Sequence, residues 1–503
     1  MNELLREPIA SALKFDAFWH LQAIGVLPVN ASPLTPTAER PHSPVWDQLA
    51  GSNSLVAIID TGVSDHPYLY KRLDPAENID LTGEPTLELP DKNASQGMFA
   101  GINLSLLTSL GLTSAPAKPF QKALAALVEK YEKRRPFDFG APSSTNQKFA
   151  AHGTSCAGLV AASSKHRPLG SSPDRPYYRG VDPECKVMSI TTSFSPHPEL
   201  LTLAFLIAAK RGADVILFPR GLPREILDME TDAMVDPNGE WLALKETILA
   251  VSKSIPIVCA AGNECDDKPI APASFAADDN GIIAVSAMNY FGIRSSYGNF
   301  GKGISVAAPS DDAEMFNRDQ ARLDKTDRFY GEYPYPAFIA NFAVDDVQYG
   351  EASLRAIDVP GPFGFSDSAR NTGSIDEADV EARLATDPES FFTEFGGTSG
   401  AAAIVAGVAS LMQRAAKLRT GADGAAKGKA LGGKRLRELM TGSARGNGVR
   451  LPHLANVTDI KDADKVLTTD RVNGKDKLGF KQAFGSGLVA ADLAVTSVFA
   501  EPL

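Results

Sequence analysis

Four short segments carry side chains able to do chemistry as a set: a carboxylate at Asp60, an imidazole at His152, a carboxamide at Asn263 and a hydroxyl at Ser399. A serine hydroxyl is a weak nucleophile until a base takes its proton, and a histidine base works best when a third group orients it. An amide N–H aimed at a developing oxyanion completes the parts for acyl transfer. Each residue also has a plainer reading. Asp60 precedes Thr61-Gly62 and fits a turn former or helix cap. His152 fits a satisfied structural histidine, Asn263 in Ala260-Ala261-Gly262-Asn263-Glu264 an Asx-turn, and Ser399 in Gly396-Gly397-Thr398-Ser399-Gly400 an N-cap.

The flanking residues say what must position these groups. Leu55 to Asp60 is an apolar run ending in a carboxylate, the pattern of a strand buried on both faces. Similar runs recur at Cys185 to Ile190, Asp214 to Phe218, Ile255 to Ala261, Ile282 to Met288 and Ile304 to Ala308. Helix-like stretches at Glu199 to Arg211, Trp241 to Ser252 and Ser399 to Leu418 alternate with them. That alternation predicts an α/β fold, a mainly parallel, doubly wound sheet with helices on both faces. Asp60 and Asn263 then fall at the carboxyl ends of strands, where open α/β sheets collect their functional groups. His152 and Ser399 each open a helix of small residues, and a serine at such a helix start has the positive helix end and its own N–H as oxyanion donors. Gly153, Ala157 and Gly158 imply close packing of the His152 helix, and the paired glycines before Thr398 would clear room for a substrate carbonyl.

The four segments in this order resemble the subtilisin family of serine proteases. Asp60-Thr61-Gly62, His152-Gly153-Thr154 and Gly397-Thr398-Ser399-Gly400-Ala401-Ala402 match its three signatures. Further matches lie at Gly180-Val181-Asp182-Pro183, Ser296-Tyr297-Gly298-Asn299-Phe300, Ala307-Ala308-Pro309 and Phe484-Gly485-Ser486-Gly487. The resemblance implies a serine endopeptidase in which Asp60 orients His152, His152 activates Ser399, and Asn263 with the Ser399 N–H holds the oxyanion. It also implies substrate-binding positions at Pro219, Arg220 and Gly221, where the family usually has Ser-Leu-Gly. Proline lacks an N–H but keeps the carbonyl that the family offers to substrate, and Arg220 stands where a leucine usually lines the cleft, which predicts an altered subsite. Glu264, with Asp266 and Asp267, lies near the family's primary specificity pocket and suggests a basic P1 residue, solvated turn carboxylates being the plainer reading. An α/β-hydrolase is disfavoured, because that class runs Ser, Asp, His and carries Gly-x-Ser-x-Gly. A catalytically weak scaffold keeping the fold is the competing function, with the Pro219-Arg220 change and the insertions in its favour.

The 503 residues divide by this reading into an N-terminal extension (1–50) and a catalytic domain (51–310 and 393–503) with insertions at 81–148 and 311–392, the latter a candidate lid. Ile24 to Val29 would block the cleft, and Thr420 to Lys434 would be an exposed loop. A hydrophobic content of 44% and a charged content of 22% describe an ordinary globular chain, and no apolar run approaches the roughly 20 residues of a spanning helix, so no membrane is expected. A net charge of −11 argues against nucleic acid, leaving a protein or peptide as the expected partner, with any regulatory partner unspecified. The N-terminal residues show no secretory signal, and four cysteines without metal spacing suit reduced thiols, so a cytoplasmic location is expected. No cofactor or metal is expected, since no calcium loop is recognisable in residues 163–180.

Overall fold

The computed structural model describes residues 18–28, 43–64, 66–73, 78–82, 87–88, 101–102, 104–110, 118–135, 151–163, 178–193, 196–222, 236, 239–290, 292–295, 297–311, 354–357, 392–419, 428–452 and 478–502. Its centre is a seven-stranded sheet of β1 (Leu55–Asp60), β2 (Ile79–Asp80), β3 (Lys186–Thr191), β4 (Val215–Phe218), β5 (Ile257–Ala260), β6 (Ile282–Met288) and β7 (Val306–Pro309). The order is β2-β3-β1-β4-β5-β6-β7, and every pairing is parallel.

Parallel neighbours need crossovers, and the long amphipathic stretches provide them. One face of the sheet packs α1 (His152–Ala161) and α2 (Gly397–Leu418); the other packs α3 (Pro198–Lys210) and α4 (Glu240–Ser254). Successive strand side chains point to opposite faces. Val56, Ile58, Val215, Leu217 and Val258 accordingly join the α1/α2 core, while Ala57, Ile59, Ile216, Phe218 and Ile257 join the α3/α4 core. This two-sided burial is why the strands read as continuous apolar runs rather than alternating ones.

Helix α2 runs through one of these cores. At 22 residues it is long and apolar enough to cross a membrane, but 89% of its most apolar window is buried inside the protein, as befits a central core helix. Its many alanines and glycines conceal that length from a scan for bulky apolar runs. Within the first insertion, Lys118–Lys133 forms a helix. Of the second insertion, 311, 354–357 and 392 are described: Arg355–Ile357, from its middle, pairs antiparallel with Phe392–Glu394 where the chain returns to the core, and the rest of the candidate lid lies outside the described residues.

Two expectations are corrected here. Ile24, Val26 and Leu27 do not block a cleft; they are buried in the core, with the Ile24 carbonyl accepting from Ala491 N at 2.7 Å and the Val26 carbonyl from Ser43 Oγ at 2.7 Å. Val29 lies outside the described residues. Gly433 and Lys434, expected in an exposed loop, begin the Gly433–Gly442 helix.

Candidate functional site

Asp60 is the last residue of β1 and is buried, so its carboxylate must find partners within the protein. Oδ1 accepts the Thr61 N–H at 2.7 Å, and Oδ2 meets His152 Nδ1 at 2.7 Å. His152 reaches it from the first position of α1, and Gly153 makes that approach feasible, because a Cβ there would overlap the Gly62 carbonyl. Burial alone would raise the Asp60 carboxyl. The His152 charge and hydrogen bond, the Arg220 guanidinium and the Thr61 N–H reverse this and hold it below the ordinary carboxylate range. With Nδ1 committed to Asp60, the imidazole keeps Nε2 for proton transfer, and the edge of the Phe395 ring packs on it at 5.4 Å.

Ser399 lies in the first turn of α2. That turn is fixed by neutral hydrogen bonds. The Gly397 N–H donates to Tyr297 Oη at 3.0 Å, and the Gly397 carbonyl accepts from Ser310 Oγ at 2.9 Å. Thr398 N–H and Thr398 Oγ1 both donate to Asn263 Oδ1, at 2.8 and 2.9 Å, while Thr398 Oγ1 accepts the Gly262 N–H at 3.0 Å. A backbone N–H can only donate, so these bonds fix Oδ1 as the engaged end of the Asn263 amide; its Nδ2 has no partner among the described residues. The Ser399 N–H belongs to the first helical turn, whose donors lack intrahelical acceptors, and it too has no partner among the described residues. Two unspent donors are therefore held together, one on the Ser399 turn and one on the Asn263 amide bonded to it. The Ser399 hydroxyl donates to the Pro219 carbonyl at 2.9 Å, so reaching His152 requires it to swing off that oxygen.

The structure thus brings Asp60 and His152 into contact and ties Asn263 to the Ser399 turn, with the Pro219 carbonyl on the Ser399 hydroxyl. Gly221 follows on the same strand end, its N–H and carbonyl without partners among the described residues, while the Leu222 N–H bonds the Ala271 carbonyl at 2.8 Å. Arg220 differs from its expected place. It does not line the cleft but turns inward: Nη1 donates to the Ser193 carbonyl at 3.0 Å, Nη2 donates to Thr192 Oγ1, and Nε lies 3.8 Å from Asp60 Oδ1. Glu264 is exposed but folds onto its own turn, Oε2 accepting from Asn263 N at 3.0 Å and Asn299 Nδ2 at 2.9 Å. Of the paired glycines, Gly397 adopts a left-handed φ of 70°, and a side chain on Gly396 would overlap the Asp311 carboxylate, so the turn itself demands both.

Thr398 and Tyr297 stand within the matched motifs but have no role assigned by sequence; their importance appears only when Asn263 and Gly397 are seen beside them. Asp60, His152 and Cys156 also place donor atoms within 4.8 Å of one another. Two features oppose a cation there. Arg220 already sets a positive charge beside Asp60, and burial pushes the Cys156 thiol well up, so it stays protonated.

Comparison with known proteins agrees with this architecture. The chain is 25% identical over 319 residues to an extracellular protease of Xanthomonas campestris pv. campestris, covering 61% of this chain and 46% of that protein. It is 25% identical over 197 residues to the major intracellular serine protease of Bacillus subtilis, covering 38% of this chain and 54% of that protein. The chain therefore spans about half the length of these relatives. The epidermin leader peptide processing serine protease of Staphylococcus aureus shares the fold, with a TM-score of 0.50 at 15% identity over 91% of this chain and 78% of that one. The subtilase family (Peptidase S8) profile matches residues 51–487, a span that begins just before β1 and takes in Asp60, His152, Asn263 and Ser399, and the chain belongs to that family.

Proposed function

We propose that the protein is a serine endopeptidase in which Ser399 is the nucleophile, His152 its base and Asp60 the group that orients the base. The observation that carries this reading is the 2.7 Å contact between His152 Nδ1 and buried Asp60, which fixes the imidazole with Nε2 as proton acceptor. Ser399 Oγ leaves the Pro219 carbonyl, passes its proton to Nε2 and attacks the scissile carbonyl. The new oxyanion is held by Asn263 Nδ2 and the Ser399 N–H, the two donors left unspent by the Thr398 clamp. The imidazolium then gives its proton to the leaving amine, and water repeats the sequence on the acyl-enzyme.

The substrate is a protein or peptide bound in extended form. The free N–H and carbonyl of Gly221 at the strand end offer it a backbone partner in the manner of an added strand. Proline at 219 costs one donor but leaves the carbonyl in place. All four cysteines are free thiols, which favours a reducing compartment such as the cytoplasm.

Purified protein and its Ser399→Ala variant test this. The parent should cleave a denatured protein and be labelled at Ser399 by a fluorophosphonate; the variant should fold, resist labelling and lose turnover. A parent that folds but is neither labelled nor active would leave the scaffold reading in its place.

A further inference from the structure

Arg220 sits in the protein interior behind Asp60, on the side away from His152's hydrogen bond. A guanidinium there is costly unless held. It is held by the Ser193 carbonyl and Thr192 Oγ1 at the end of β3 and lies 5.6 Å from the Phe218 ring, leaving Nε aimed at Asp60 Oδ1 from 3.8 Å. Nε has no hydrogen-bond partner among the described residues, so the contact with Asp60 is one of charge. Burial lowers the guanidinium from its ordinary value and the Asp60 charge opposes that. The ionisable groups facing Asp60 are thus His152 and Cys156 from α1 and Arg220 from beyond the end of β4; Thr192 and Ser193, just past β3, carry no charge. The Cys156 thiol is neutral, which leaves one anion between the Arg220 guanidinium and the imidazole.

We infer that Arg220 is a positioning residue that acts through Asp60, dividing the carboxylate's charge so that it supports an imidazolium less strongly and the enzyme keeps its activity further into the acid range. This rests on the proposed roles of Asp60, His152 and Ser399. In Coulombic terms, the Asp60 carboxylate favours the imidazolium, and a buried cation against the same carboxylate cancels part of that support. The sequence comparison of Pro219-Arg220-Gly221 with the family's usual Ser-Leu-Gly suggests a changed subsite, but an arginine turned away from the cleft changes proton transfer instead.

Arg220→Met removes the charge at similar length, Arg220→Gln also keeps a hydrogen-bond donor, and Arg220→Lys keeps the charge. The acid limb of kcat/KM should move up by about 0.5–1 pH unit in the Met and Gln variants, a roughly three- to tenfold loss on the limb. It should stay near the parent position in the Lys variant. KM and the map of cleavage sites should remain as in the parent. A limb unmoved in the neutral variants overturns the inference, as does an equal displacement in Arg220→Lys, which would indicate packing. A changed cleavage map with an unmoved limb would return Arg220 to a subsite. Failure of both neutral variants to give folded protein would reassign it to folding. Fluorophosphonate titration separates this from the function itself: an unlabelled parent defeats the peptidase reading, whereas labelled variants with an unmoved limb defeat only the role of Arg220.

Discussion

The two halves of the site are built on different physics. Around Asp60 a single buried anion is balanced by His152 and Arg220, with one backbone N–H in addition. Around Ser399 the groups bonded to the turn are neutral, with the Asp311 carboxylate one step behind them on Tyr297, and five hydrogen bonds from Gly262, Gly397, Thr398 and Ser310 tie the turn to Asn263, Tyr297 and itself. A charge in a low-dielectric interior is sensitive to the loss of one partner. A neutral network spreads its load, so deletions there should cost less and vary with which atom is removed.

The largest effect should come from the charged half. Asp60→Asn keeps the shape but replaces the acceptor of the Nδ1 proton with an amide that can present a donor, favouring the wrong tautomer of His152. A fall in kcat of about 10⁴ is expected, the size associated with this change in serine protease triads. A fall of less than about tenfold in a folded variant would show that the charged half is not the sensitive one.

An intermediate effect belongs to the link between the Ser399 turn and Asn263. Asn263→Ala removes the proposed oxyanion donor and should lower kcat by about 10²–10³, the magnitude established for such a donor in subtilisin. Thr398→Val leaves that donor in place but removes the hydroxyl that holds it, while the Thr398 N–H still bonds Oδ1. A loss of about tenfold in kcat, with little change in KM, is expected for misplacement rather than deletion. Equal losses in both variants would mean that Thr398 does more than position the amide.

These contrasts also show what the sequence made legible. The parallel sheet was readable because two-sided burial writes itself as Val, Ile and Ala runs, and β6 begins and ends where its apolar run does. The four candidate residues were readable because they sit at strand ends and helix starts, with glycines that mark close approach. Arg220 was misplaced because a side chain's direction depends on Thr192 and Ser193, almost thirty residues earlier in the chain but brought beside it just past the end of β3. The docking of Ile24 to Leu27 was likewise hidden, since its partner Ala491 lies at the far end of the sequence. Local pattern records which face of an element is buried; it does not record which distant polar group will meet it.

The smallest loss of activity should follow a change deep in the neutral half. Tyr297 is buried, and burial first, then the Asp311 charge, push its phenol well above the ordinary value, so it remains a protonated donor at any working pH. Its hydroxyl lies 2.8 Å from Asp311 Oδ1 and accepts the Gly397 N–H at 3.0 Å. The same hydroxyl also meets Ser310 Oγ at 2.8 Å and the Asp311 carbonyl at 3.0 Å; Tyr297→Phe removes all of these contacts without adding volume and leaves the buried Gly397 N–H to find another partner. An unsatisfied buried group costs about 1–3 kcal/mol, so the variant should unfold at lower denaturant concentration than the parent. The Gly397 carbonyl, however, is still held by Ser310, and Thr398 is still held by Asn263 and Gly262. The turn that carries Ser399 therefore keeps most of its fixings, and kcat should change by less than about threefold, a shift of under 1 kcal/mol in the barrier. A stability loss without an activity loss is the signature of a distributed network. A stable variant that instead lost activity as steeply as Asp60→Asn would show that the Ser399 turn hangs on one hydrogen bond, and the contrast between the two halves would fail.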